Sequence, residues 1–298
     1  MKIKQSLSVN IKPMTIAFCI VSAVTAVIRM IQMLKFIDVE TGFYNGGSII
    51  NILLIIVLAA SSIYFAVASF LSKETKEFDF QGIKSTALGV VTAFFAFSLV
   101  CDWISSFLNS GRYLLDIPSL SSAKALMTSG TLPVGMQSFF ALLSAIYFII
   151  LAIDFFKGTQ KASKLKILAI MPVGWAGTRM IHRFIRQISY IEVSDLFLEL
   201  VMIAFMIMFF MAFAQVNSGV YSDGFTWRLT GFGLPAAVIA FMLSVPRLML
   251  TFVNASAYIN SNHTFKLCDL AFVFFAFVLV VSLVNRDNNS SAAEAKEE

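Results

Sequence analysis

The sequence predicts an all-α, polytopic integral membrane protein. Hydrophobic residues make up 58% of the chain and charged residues 13%, whereas soluble domains carry about 25% charged residues. The mean hydropathy is +0.84. Apolar runs of about 20 residues, the length that a helix needs to cross a bilayer, recur from end to end. The alternating apolar and polar residues of a transmembrane β-barrel are absent.

Windows of bilayer length predict about eight transmembrane helices. The first apolar run is too long for the apolar region of a signal peptide and lacks a clear small-residue cleavage site, so we expect it to be retained. Residues 1–284 are expected to form a single transmembrane domain, and the polar tail 285–298 is expected to be disordered and cytoplasmic. The predicted spans are residues 14–36, 48–71, 86–108, 134–156, 165–188, 193–216, 229–253 and 265–284.

The basic residues predict the orientation of the chain. Thirteen Lys and Arg lie in connections on the side of the two termini, and six lie on the opposite side. Because cytoplasmic loops carry the excess of basic residues, both termini are predicted to be cytoplasmic. The net charge is +5, and the basic residues are distributed over these connections and do not form one basic patch. This distribution favours the lipid bilayer as the partner and not nucleic acid.

A repeated pattern aligns the arginines of the odd-numbered spans. Residues 179–191, RMIHRFIRQISYI, match residues 247–259, RLMLTFVNASAYI, in Arg, Phe, Tyr and Ile at the same offsets. Chance similarity between two apolar helices is the alternative explanation. The pattern predicts four helical hairpins built as parallel internal repeats. The hairpin units are about 1–77, 78–160, 161–222 and 223–284.

A layer of polar side chains is predicted in the outer third of the bilayer. The arginines of the odd spans, and Asp102 in the third, lie roughly 21–27 Å from the cytoplasmic end at a rise of about 1.5 Å per residue. The even spans start from the outside and carry their polar residues within about two turns. The candidate site residues are Arg29, Gln32, Asp102, Gln137, Arg179, His182, Asp195, Glu199, Arg247 and Asp269.

The segment GTRMIHRFIRQ, residues 177–187, raises the functional question most directly. Its basic side chains at 179, 182, 183 and 186 share one helical face, and an acidic face follows over residues 192–199. An unpaired charge in the bilayer costs about 2.5–3.5 kcal/mol on insertion scales. These charges should therefore be paired, hydrated, or both.

Two interpretations of the charges stay open. In the first, an outward-facing, water-filled pocket binds a small anionic solute or a coupling ion, as in a transporter or a solute-binding membrane protein. Gly and Pro within residues 170–177 and 231–235 favour this interpretation, because interrupted helices often form transporter sites. In the second, Arg179 pairs with Asp195 or Glu199, and the ion pairs are purely structural in a membrane scaffold or signalling subunit.

The sequence lacks the motifs of common enzyme and metal sites. It has two histidines and three cysteines without a CxxC pair, and it contains no HExxH, GxSxG or phosphate-binding loop pattern. Residues 231–236, GFGLPA, resemble a dinucleotide-binding fingerprint in their letters. They lie inside an apolar run and do not follow a predicted strand, so we do not interpret them as such a site. We therefore expect no catalytic residues, no metal and no cofactor, and we expect that the protein is not an enzyme.

The stretch IDVETGFYNGG, residues 37–47, follows the first predicted span. It resembles a stretch of uncharacterised multi-pass membrane proteins of anaerobic Gram-positive bacteria. The resemblance implies a location in the bacterial plasma membrane and implies no activity.

Overall fold

A computed structural model describes residues 11–36, 48–71, 84–115, 131–185, 193–219, 226–253 and 265–294. Within these ranges the chain is helical apart from short turns, and it contains no strand. One helical turn, Lys161–Lys164, lies between the fourth and fifth long helices. The long helices are α1 (Ile11–Lys35), α2 (Ser48–Leu71), α3 (Thr86–Leu115), α4 (Thr131–Lys157), α5 (Lys166–Ile185), α6 (Val193–Asn217), α7 (Thr226–Phe252) and α8 (Leu267–Glu294).

Six of these described helices, α1–α4, α6 and α7, are long and apolar enough to cross a membrane. A long apolar helix suits a bilayer because it satisfies its backbone hydrogen bonds internally. The all-α prediction is confirmed for the described residues, and six of the eight predicted spans correspond to helices with the length and composition of a membrane span. Helix α5 falls outside the set since it carries several charged side chains, and the apolar part of α8 is short, Leu267–Ser282.

Helix α8 continues beyond the predicted end of the last span. The tail from residue 285 was predicted to be disordered, whereas the backbone is helical to Glu294. Residues 285–294 contain neither Pro nor Gly, so no helix-breaking residue ends α8 after its apolar part. The last four residues of the tail lie outside the described residues.

Helix α7 lies at the centre of the packing. It contacts α1, α2, α6 and α8, while α3 packs on α4 and α8, and α5 packs on α4 and α6. Of the apolar window of α7, 78% is buried, against 22% for α2. Helix α2 is therefore at the periphery, where its exposed isoleucines form an apolar surface suited to lipid.

An aromatic core joins five helices around Phe95 of α3. Its ring centroid lies 4.8 Å from that of Phe148, 5.4 Å from that of Phe275 and 6.1 Å from that of Phe210. The indole of Trp175, on α5, lies 6.3 Å away. Such aromatic pairs contribute about 0.5–1.5 kcal/mol each beyond the area that they bury. This core fixes α3, α4, α5, α6 and α8 relative to one another.

The Gly and Pro positions of α5 and α7 do not interrupt these helices. Helix α5 is continuous across Pro172, and α7 is continuous across Pro235 and Pro246. The glycines permit close helix contact instead: a Cβ at Gly233 would lie 2.8 Å from the ring of Phe209. The argument from interrupted helices therefore does not apply to these segments.

Candidate functional site

Three buried or mostly buried carboxylates organise a polar layer at one end of the helices. Asp195 and Glu199 lie one turn apart on α6 and therefore share a face. Asp269 lies in the first turn of α8. Each carboxylate is within 4 Å of at least one cationic side chain. The cations in these pairs are Arg29, Arg179, Arg183, Arg247 and Lys266.

Asp269 and Arg179 form a two-pronged ion pair between α8 and α5. Arg179 Nη1 donates to Asp269 Oδ1 at 2.5 Å, and Nη2 donates to Oδ2 at 2.7 Å. The side chains are only 1% and 3% exposed. The guanidinium also lies over the ring of Trp175, 5.9 Å from its centroid. Parallel hydrogen bonds of this kind are among the strongest that a protein makes.

Glu199 is a shared acceptor for three cations. Its Oε1 accepts from Arg179 Nη2 at 3.0 Å and from Arg183 Nε at 3.2 Å. Lys266 Nζ lies 3.4 Å from the same oxygen. The carboxylate is fully buried. Two helices and the segment that leads into α8 therefore meet at a single acidic side chain.

Asp195 bridges the arginines of α1 and α7. It forms an ion pair with Arg29, and its Oδ2 lies 3.8 Å from Arg247 Nη2. The second separation is longer than a hydrogen bond. Arg29 Nη1 also donates to Gln32 Oε1 at 3.0 Å, and Gln32 Nε2 donates to Asn51 Oδ1 of α2 at 3.0 Å. At 17% exposure, Asp195 is the most accessible of the three carboxylates.

Asp102 of α3 accepts hydrogen bonds from neutral donors. Its Oδ2 accepts from Gln137 Nε2 at 3.1 Å and from Trp175 Nε1 at 2.8 Å. Because Trp175 also lies beneath the guanidinium of Arg179, Asp102 is joined to the rest of the layer through the indole. Because Asn51 of α2 is joined to it through Gln32, the layer includes side chains from all eight long helices.

The structure brings nine of the ten predicted site residues into these contacts. The tenth, His182, lies on α5 three residues beyond Arg179 and is partly buried. The expected partner Glu199 does contact Arg179, but the two-pronged partner is Asp269 of α8. Residue 186 of the basic face and residue 192 of the acidic face lie outside the described residues.

The candidate list from the sequence leaves out Asn51, Trp175, Arg183 and Lys266. A signal existed for three of them. Asn51 is a polar residue near the start of the second predicted span, and Arg183 belongs to the predicted basic face. Trp175 lies four residues before Arg179 on the same helical face. Lys266 immediately precedes α8. Its pattern in the sequence is that of an ordinary basic loop residue.

The described part of the layer holds more cations than carboxylates. Five cations share the carboxylates of α6 and α8, while Asp102 accepts from two neutral donors. In addition, the Nε of Arg179 is buried and has no hydrogen-bond acceptor among the described residues. A layer of this composition is chemically suited to hold an added anionic group.

Within the described ranges, no group of three or more His, Cys, Asp or Glu side chains is placed to hold a metal ion. Cys268 lies in the layer, with its Sγ 3.8 Å from Arg179 Nη1. Comparisons of the chain with protein-family models, with curated proteins and with solved structures found no match. The geometry of the polar layer is therefore the basis for a functional proposal.

Proposed function

We propose that this chain is a multi-pass bacterial plasma-membrane protein that binds a small anionic solute, as a transporter or a solute-binding membrane protein. The solute binds at the polar layer through a carboxylate or phosphate group. The observation that supports this proposal is that five buried or mostly buried cations share three carboxylates. Bringing in one more anion lowers the repulsion between these cations in a region where charges are poorly screened.

The pair between Arg247 and Asp195 is the best position for the solute anion. Asp195 is the most exposed of the three carboxylates, and Arg247 Nη2 lies 3.8 Å from its Oδ2, so this arginine is at the most accessible part of the layer. The fork of Arg179 binds Asp269 and Glu199, and both of these carboxylates are almost completely buried. An arginine fork binds carboxylate or phosphate with two hydrogen bonds. Arg247 is therefore the binding group of the proposal, and Arg179 is a supporting one.

A thermal unfolding experiment in detergent tests this function. The midpoint is measured against phosphate, sulfate, citrate, succinate and glutamate, with ionic strength held constant by sodium chloride. We expect at least one anion to raise the midpoint saturably, because a ligand at about 100 times its Kd stabilises by about 2.7 kcal/mol. The response should disappear in Arg247→Gln and persist in the control Lys35→Gln, which changes an exposed lysine at the end of α1. A flat response to the whole panel, or an unchanged response in Arg247→Gln, contradicts the proposal.

We further propose that all eight long helices cross the bilayer, with both termini cytoplasmic and the polar layer in the outer third. Helix α5 has 20 residues, which corresponds to about 30 Å, the thickness of the hydrocarbon core. Its buried charges are paired across to α6 and α8, which lowers the cost of placing them in the membrane.

Cysteine labelling of intact cells tests the orientation. In a cysteine-free background, a cysteine at position 121 should react with a membrane-impermeant maleimide, and one at position 290 should react only after permeabilisation. The reverse pattern overturns the orientation.

The hairpin repeat remains part of the proposal, and the pairing in the layer supports it. Arg179 of the third unit pairs with Asp269 of the fourth, while Arg247 of the fourth unit lies beside Asp195 of the third. The two aligned arginines therefore each lie beside a carboxylate of the other unit, which is expected of two related units that pack against each other.

The second candidate is a membrane scaffold or signalling subunit in which the charges are structural. The observation that favours it is the buried pair of Arg179 and Asp269, which joins two helices through both Nη atoms of the arginine and both oxygens of the carboxylate. In that case no anion shifts the unfolding midpoint, and Arg247→Gln lowers stability without changing any ligand response. The anion panel therefore separates the two functions.

A further inference from the structure

A dense group of lysines surrounds the connection between α4 and α5. Four lysines lie within ten residues, and each of their side chains is exposed. No Asp or Glu occurs between Asp154 and Glu192, so no acidic neighbour in this part of the sequence balances them. The four lysines, here called the basic corner, are Lys157, Lys161, Lys164 and Lys166.

The acidic residue that is nearest to the basic corner in the sequence, Asp154, makes its hydrogen bonds within the protein. Asp154 is 5% exposed; its Oδ2 accepts from the backbone N–H of Ala162 at 2.6 Å, and its Oδ1 accepts from the hydroxyl of Thr159. These bonds fold the short turn Lys161–Lys164 back onto the end of α4. Gly158, with φ +72°, permits the reversal. The buried carboxylate thus orders the corner and leaves its positive charge at the surface.

A fifth lysine is held at the same place by the backbone. The N–H of Ser85 donates to the carbonyl of Phe155 at 3.0 Å, so Lys84, which is exposed, lies beside the end of α4. The beginning of α3, the end of α4 and the beginning of α5 therefore present their lysines together.

Apolar side chains border the basic corner on both helices. Ile153 and Phe156 are 41% and 40% exposed near the end of α4, and Ile167 and Ile170 are 73% and 57% exposed at the beginning of α5. In a membrane-spanning helix, exposed side chains of this kind contact acyl chains. The lysines lie where such an apolar surface ends, which is the depth of phospholipid headgroups.

We infer that the basic corner is a binding site for anionic phospholipid headgroups of the bilayer in which the protein is embedded. The lysines bind the phosphate group and any further anionic oxygen of the headgroup, and the isoleucines and Phe156 contact the acyl chains. The site is separate from the polar layer, since Lys166 and Arg179 are about 20 Å apart along α5 at a rise of about 1.5 Å per residue. The test of this lipid site is therefore independent of the test of the proposed solute site.

Native mass spectrometry tests this inference. Protein from micelles containing equal amounts of phosphatidylglycerol and phosphatidylcholine is measured for the ratio of the two lipids that it retains. The main variant changes the four lysines of the basic corner to Gln, and the matched control changes the same four to Arg. Each basic residue near an anionic surface is worth about fivefold in binding.

We expect the wild-type protein to retain phosphatidylglycerol preferentially and the four-glutamine variant to lose at least about tenfold of that preference. The four-arginine control should keep it within about twofold, and raising the ionic strength from about 0.1 M to about 1 M should weaken it. If the four-glutamine variant melts early in phosphatidylcholine, the milder Lys161→Gln, Lys164→Gln variant is measured instead and should show an intermediate loss. An unchanged ratio in the glutamine variants, or an equal loss in the arginine control, overturns the inference.

Discussion

The ion pair between Arg179 and Asp269 allows a quantitative test of how the polar layer stabilises the protein. The change Arg179→Leu leaves Asp269 buried, with the thiol of Cys268 at 3.8 Å as a weak neighbour. Removing one member of a buried pair costs about 3–5 kcal/mol because the remaining charge is uncompensated. Glu199 does not add to this cost in the same way, since Arg183 and Lys266 still contact it.

The reverse change, Asp269→Leu, is expected to cost less. Arg179 then keeps its 3.0 Å hydrogen bond to Glu199, so the loss is that of hydrogen bonds to a charged group, about 1.5–3 kcal/mol. The double variant, with Leu at both positions, should be within about 1 kcal/mol of the wild-type protein, because replacing a whole buried pair by apolar side chains is often neutral or stabilising. The coupling energy of the cycle should exceed about 2 kcal/mol.

Reversible unfolding in mixed micelles of dodecyl maltoside and dodecyl sulfate, followed by far-ultraviolet circular dichroism, measures these free energies. Lys35→Leu, which removes an exposed cation at the end of α1, is the control and should change stability by less than about 0.5 kcal/mol. A double variant as unstable as Arg179→Leu, or a larger loss for Asp269→Leu than for Arg179→Leu, refutes the reasoning. The anion panel applied to a well-folded double variant then asks whether the solute response survives without this pair.

Two further predictions concern packing and buried polarity. Gly233→Ala should lower the unfolding free energy by about 1–3 kcal/mol, because its Cβ would meet the buried ring of Phe209 at 2.8 Å; Gly177→Ala, where nothing lies within 4 Å, should be neutral or slightly stabilising, and equal losses in the two variants contradict the explanation. Tyr147→Phe should cost about 1–3 kcal/mol, because it removes the 2.6 Å hydrogen bond between Asn217 Nδ2 and the buried phenol oxygen. The exposed Tyr64 supplies the control: Tyr64→Phe should have little effect, and a loss equal to that of Tyr147→Phe argues against this role for the buried bond.

The sequence was sufficient to predict an all-helical chain with several helices apolar enough to cross a membrane. It also identified most of the charged residues that lie in the polar layer. Hydropathy depends only on the residues of one helix. The energetic cost of placing Arg29 or Glu199 in an apolar segment can likewise be recognised from that segment alone. The helical period also placed Asp195 and Glu199 on one face, as the structure has them. Local composition did not decide where helices end: α5 continues across Pro172, and α8 continues through the polar residues 285–294 to Glu294.

The sequence by itself determined that buried charges must be neutralised, and the tertiary structure alone decided by which partners. Arg179 binds Asp269, 90 residues away, because the aromatic core around Phe95 sets where α8 lies relative to α5. The central position of α7 likewise follows from close contacts, such as that of Gly233 with Phe209, which no single helix reveals. Helix composition is a local property, whereas the pairing of charges depends on how whole helices pack, and packing is decided by side-chain shapes from several helices at once.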